Sequence, residues 1–83
     1  MKIRPVLTLV SRDYCHLCEE MHAALRQLQG RFSFDIEVVD VDSRPDLEAA
    51  WGDKVPVLLH GDEEVCHYHL DAEALGARMA RIE

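Results

Sequence analysis

The sequence predicts an α/β fold, a four-stranded mixed sheet in the order β-α-β-α-β-β-α flanked by three helices. Three observations point there. Apolar runs of strand length alternate with stretches of helical period, Gly, Pro and Asp punctuate the changes, and only Gly61-Asp62-Glu63 separates the last two strand-like runs. At 83 residues with 48% apolar content, the chain reads as one domain over 1–83, near the size at which a single core just offsets chain entropy. No linker, repeat or low-complexity segment divides it.

The first strand is carried by Val6, Leu7, Leu9 and Val10 and is cut off by the polar Ser11-Arg12-Asp13. A helix follows, with Leu17, Met21, Ala24, Leu25 and Leu28 at helical spacing and Gly30 as its stop. Ile36–Val41 reads as a second strand, continuous enough in apolar content for a sheet covered on both faces. Ser43-Arg44-Pro45-Asp46 starts a short helix that runs to about Trp51, with Pro45 in its first turn and Gly52 as terminator. Val55–Leu59 and Glu64–Tyr68 form an antiparallel pair around the Gly61 turn. Asp71 caps the last helix, with Leu75, Met79 and Ile82 on one side and Leu70 and Leu75 placed as a hydrophobic staple. The opening strand-helix-strand gives a right-handed parallel pair, and the hairpin extends it with an antiparallel edge.

Cys15-His16-Leu17-Cys18 lies where the first strand gives way to the first helix. Cys15 falls at or just before the first turn, where unpaired N–H groups and the helix dipole favour an anion. Its thiol is expected below the unperturbed pKa of ~8.5. Cys18, one turn deeper, is expected to be more shielded and to suit the resolving role. His16 between them is a candidate electrophilic neighbour or a solvated side chain. The carboxyl end of a parallel strand is also where open α/β sheets place their chemistry. The spacing by itself equally fits half of a zinc site.

Charge and cysteine usage narrow the function. The formal net charge is −7 with no Lys/Arg run, which argues against nucleic acid and anionic membrane as partners. The apolar stretch after the N-terminus is too short for a signal peptide, and no transmembrane span is present. Three cysteines, an odd number, fit the reducing cytoplasm, where a C-x-x-C is catalytic or metal-binding. A monomer is expected.

Ser11-Arg12-Asp13-Tyr14-Cys15-His16-Leu17-Cys18 together with Val55-Pro56 resembles the glutaredoxins, and more closely the small bacterial glutaredoxin-like proteins that carry Cys-His-Leu-Cys. The likeness covers nearly the whole chain. It implies a thioredoxin/glutaredoxin-like fold and a thiol-disulfide oxidoreductase, with Cys15 as nucleophile and Cys18 resolving. It implies a cis Pro56 packed on the dithiol and a Val55 backbone that hydrogen-bonds a substrate chain. Arg12 stands where a basic residue helps hold a glutathione carboxylate, and Tyr14 is a candidate substrate contact or cover for the helix start. No bound cofactor is implied; glutathione or an external dithiol would donate electrons, and protein disulfides or glutathione would be the partners. The chain lacks the usual proline inside the dithiol motif. It also lacks the Gly-Gly pair that admits glutathione, near whose place stand the bulky Cys66, His67, Tyr68 and His69. Thioredoxin itself is a poorer match.

Regular hairpin pairing sets Cys66 near Val57, toward the proline end of the sheet. Three roles follow: an extra redox thiol, a ligand with Cys15, Cys18 and His69 (or His67) in a Cys₃His zinc site, or a buried apolar side chain. Two other classes of function therefore stand beside the enzyme: a metal-binding module and a non-catalytic adaptor of the same fold. Trp51 reads as an anchor for the second helix. Glu19, Glu20, Asp40, Asp42 and Glu48 read as a solvated face, and His22 and His60 as isolated histidines without chemistry.

Overall fold

The computed structural model describes residues 4–82; the N-terminal reading therefore falls partly outside the described residues, as does the side chain of Ile82. The elements follow in the order β1 (Val6–Ser11), α1 (His16–Leu28), β2 (Asp35–Asp40), a 3-10 turn (Val41–Ser43), α2 (Pro45–Trp51), β3 (Val57–His60), β4 (Glu63–His67) and α3 (Ala72–Ile82). They form one four-stranded sheet ordered β2-β1-β3-β4. β1 runs parallel to β2 and antiparallel to β3, and β3 is antiparallel to β4.

Alternation along the strands sorts the core into two layers. Leu7, Leu9 and Leu58 face Met21 and Leu25 of α1 and Leu75 and Met79 of α3, with Phe34 completing the cluster. Val10, Val57 and Leu59 face the other way, toward Val41 and the partly buried Leu47 and Trp51 of α2. Two helices therefore cover one face and one covers the other, the apolar residues of β1 and β3 serving the layer their parity selects.

Three features depart from the sequence reading. β2 is an edge strand with only one covered side, so Val38 is 50% exposed where continuous apolar content implied burial on both faces. Val41 leaves the strand and begins the 3-10 turn, in which the Asp40 carboxylate accepts the Asp42 N–H at 2.9 Å. The hairpin carries a bulge: His60 opposes Glu63 and Leu59 opposes Glu64, yet Leu58 opposes Cys66, leaving Val65 as the extra residue. The tight turn itself is Gly61-Asp62, and Gly61 takes the left-handed φ of 63° that such a turn needs.

The Asp71 carboxylate accepts the Ala74 N–H at 3.0 Å, capping α3, and Leu70 packs against the cluster that holds Leu75. Asp71→Ala should lower stability by about 1 kcal/mol. Leu75→Ala, which empties a fully buried site, should cost about 2–5 kcal/mol. Urea unfolding of both variants checks the order.

Candidate active site

The carboxyl end of β1 delivers the chain to the dithiol. After Ser11 come Arg12, Asp13 and Tyr14, and Tyr14 adopts the left-handed region with φ 58°. That turn reverses the chain so that Cys15, at φ −109° and ψ 109°, becomes the N-cap of α1. Its Sγ accepts the Cys18 N–H at 3.2 Å, and its carbonyl accepts the Glu19 N–H at 3.1 Å. The Cys15 sulfur thus occupies the place where a helix offers unpaired donors. Cys15 and Cys18 are joined as a disulfide with Cα atoms 5.2 Å apart. Cys18 is 4% exposed, whereas Cys15 is only partly covered.

The Val55-Pro56 peptide bond is cis, and Pro56 is buried. Val57 pairs with Val10, so Pro56 sits at the end of the sheet from which β1 leads to the dithiol. Tyr68 holds this segment in place: its N–H donates to the Pro56 carbonyl at 2.8 Å, and its hydroxyl donates to the Asp53 carbonyl at 2.8 Å. Tyr68 itself is left-handed, at φ 65°. Its positioning role was not legible in the sequence, where it reads only as a bulky residue near the place of Gly-Gly.

Arg12 departs from its expected role. Its Nε and Nη2 donate to Asp42 at 3.0 and 3.2 Å, Nη2 also donates to Glu48 at 2.7 Å, and Nη1 donates to the Gly52 carbonyl at 3.3 Å. The guanidinium beside Asp42, and then Glu48, is held charged above its ordinary range. It is a strap between the β1 loop, the 3-10 turn and α2 rather than an open carboxylate receptor. Gly52 serves the same strap. Its φ of −55° is ordinary helical backbone, so it does not end α2 by a left-handed turn. A Cβ there would collide with the Glu48 carboxylate, which lies over Gly52 on its way to Arg12.

A cleft of about 170 Å³ opens beside the disulfide, lined by Leu9, Ser11, Arg12, Asp13, Tyr14, Cys15, Cys18, Glu19, His22 and Val38. Val55 and Pro56 are absent from this lining, so the described cleft lies on the β2 side of the dithiol. Tyr14 covers neither the helix start nor the sulfurs, because its side chain is fully exposed. His22 and Glu19 join the site through helical spacing, four residues after Cys18 and Cys15 respectively. That signal was available in the sequence, whereas Val38 enters only through its pairing with Leu9 across the sheet. His16 is turned outward, 3.8 Å from Glu20 and 84% exposed.

The bulge at Val65 overturns the expected placement of Cys66. A regular ladder would put Cys66 opposite Val57, on the α2 face; the extra residue moves it opposite Leu58, into the α1/α3 core. Its side chain is 8% exposed, and burial pushes the thiol up from its ordinary value, with the charges of Asp71 and Glu64 adding to the rise and a hydrogen bond from the Asp71 backbone opposing it. Among the described residues no three His, Cys, Asp or Glu side chains converge as a metal-holding group. The proposed zinc set of Cys15, Cys18, Cys66 and His69 is therefore not assembled, because the bulge commits Cys66 to the hydrophobic layer.

Residues 6–80 match the glutaredoxin-like domain (DUF836). The chain belongs to that family. This glutaredoxin-like protein is 32% identical to an uncharacterized protein of Mycobacterium tuberculosis, over 94% of this chain and 86% of the relative. The solution structure of protein Ne2328 from Nitrosomonas europaea superposes with a TM-score of 0.84 at 41% identity, covering 95% of this chain and 96% of that one. The X-ray structure of XcR50 from X. campestris gives 0.71 at 36% identity, covering 90% and 96%. Thioredoxin 1 of Thermosipho africanus gives 0.61 at 22% identity, covering 93% of both chains, and so shares the thioredoxin fold. No described helix of the glutaredoxin-like chain is long and apolar enough to cross a membrane.

Cys66 gives a test in the oxidised protein, where Cys15 and Cys18 do not titrate. Its folded pKa is raised, so its contribution to stability is fully present below the unfolded value of ~8.5 and is lost as pH rises toward the folded one. Stability of the wild type should fall with alkaline pH from about 8.5 upward. The same urea titration on Cys66→Ala should lack that thiol-dependent slope, whatever the variant loses at neutral pH.

Proposed function

We propose that this glutaredoxin-like chain is a small thiol-disulfide oxidoreductase in which Cys15 is the nucleophile and Cys18 the resolving thiol. The observation that carries this reading is the asymmetry of the pair: Cys15 caps α1 and is partly open to solvent, while Cys18, joined to it, is buried. An anion at the cap is favoured by the helix N-terminus, which makes the accessible sulfur the better attacking group and leaving group.

In the reduced protein the Cys15 thiolate attacks one sulfur of a substrate disulfide. A bond forms between Cys15 Sγ and that sulfur, and the other substrate sulfur leaves as a thiolate. The Cys18 thiolate, its proton lost to solvent, then attacks Cys15 Sγ, closing the Cys15–Cys18 disulfide and releasing the second substrate thiolate. Solvent protons complete both product thiols. Two electrons have passed to the substrate, and an external dithiol or glutathione restores the reduced pair by the reverse exchange. The chemistry needs no bound cofactor. Protein disulfides are the acceptor class, a monomer is sufficient, and the reducing cytoplasm is the compartment in which such a dithiol is held ready.

Intact mass after equilibration across reduced-to-oxidised glutathione ratios tests the reading. The wild type should lose two hydrogens with one defined midpoint, assigned to Cys15 and Cys18 by peptide mapping. Cys18→Ser should accumulate a mixed disulfide on Cys15, and Cys15→Ser should abolish exchange. A Cys15→Ser protein that retains full exchange activity, or a wild-type pair that stays unoxidised throughout, would rule the mechanism out.

A further inference from the structure

The cleft beside the disulfide carries two exposed apolar groups. Val38, opposite Leu9 in the parallel register, is half-exposed because β2 is the sheet edge. The Tyr14 ring is held in solvent by the left-handed backbone that precedes Cys15. Both line the same cleft as Cys15 and Cys18, and the buried Leu9 and Cys18 add apolar surface to it.

Its lining holds two carboxylates, the Arg12 guanidinium and the His22 imidazole. Asp13 and Glu19 line the cleft, and neither has a cationic partner within salt-bridge distance among the described residues. Asp40 follows Val38 on the same face of β2, with one carboxylate oxygen taken up by the Asp42 N–H. The guanidinium in the lining, that of Arg12, is already compensated by Asp42 and Glu48. An approaching anion therefore meets uncompensated carboxylates, whereas a cation can pair with them near the reacting sulfur.

We propose that this cleft selects protein disulfides whose cysteine is flanked by a cationic and an apolar residue. The apolar neighbour contacts Val38 and Tyr14, and the cationic one pairs with Asp13 and Glu19. Disulfides with anionic neighbours, including glutathione disulfide with its carboxylates, belong to the disfavoured class. The inference rests on the oxidoreductase reading and names the substrate class of the same site; the exchange chemistry and its external dithiol reductant are those given above.

The test is single-turnover oxidation of pre-reduced wild-type protein by disulfide-bonded peptides identical except for Lys-Leu, Gln-Leu or Glu-Leu beside the cysteine. Each rate is normalised to the rate with dithiothreitol, which removes the intrinsic reactivity of the peptide. Lys-Leu should exceed Glu-Leu by roughly tenfold at low salt, with Gln-Leu between, and the spread should shrink in about 0.5 M salt. Asp13→Asn combined with Glu19→Gln should collapse it to within about twofold. Val38→Ser should slow Lys-Leu relative to a Lys-Gly peptide. Equal low-salt rates for the three peptides would overturn the selectivity while leaving the oxidoreductase standing. A preference that survives the double substitution would overturn its assignment to this cleft. Failure of every peptide to oxidise Cys15 would instead sink the oxidoreductase reading itself.

Discussion

β1 is paired on both sides, parallel to β2 and antiparallel to β3, and the geometry of the site depends on that pairing. Its residues Leu7 and Leu9 enter one layer of the core and Val10 the other, so the strand cannot slip by one position without exchanging the two layers. Because β1 is fixed in this way, the chain leaves it at one defined end of the sheet. The turn through Tyr14 then places Cys15 at the start of α1, and Met21 and Leu25 hold that helix on the sheet. The same register brings the cis Val55-Pro56 segment to that end through Val57 and Val10. The Cys15–Cys18 pair is thus positioned by buried apolar contacts several residues away, with Cys15 partly open to solvent and Cys18 buried.

The third cysteine shows how one extra residue separates a thiol from a site. With Val65 inserted in the ladder, Val65 and Cys66 both pack toward the α1/α3 layer, and Cys66 becomes a small apolar side chain among Leu58, Leu75 and their neighbours. Burial disfavours its thiolate, and thiolate is the form needed for exchange or metal binding. The extra-redox and zinc roles therefore lose both position and chemistry, and the apolar role remains.

Electrostatics at the site are organised by neutralisation. Arg12 could have met an incoming carboxylate, but Asp42 and Glu48 reach it first, and Gly52 leaves the room that Glu48 needs. The strap is solvent-exposed, so each pair is individually weak. Its larger consequence is on the field around the dithiol: with Arg12 compensated, Asp13 and Glu19 set the sign of the charge beside Cys15.

The element order, the thioredoxin-type sheet and the Cys15–Cys18 pair were legible in the sequence. These rest on local signals: apolar period, caps such as Asp71, the Gly61 turn, and two cysteines one helical turn apart, reinforced by the family likeness of Cys-His-Leu-Cys and Val-Pro. Tertiary structure decided which strand is the edge, where Cys66 points, what Arg12 binds and which residues wall the cleft. A bulge shifts every later side chain by one position, and whether Val38 is covered depends on whether another strand lies beyond β2. Arg12 meets partners some thirty residues away. None of these is encoded in a short window, because each is settled by surfaces that meet only once the sheet has closed.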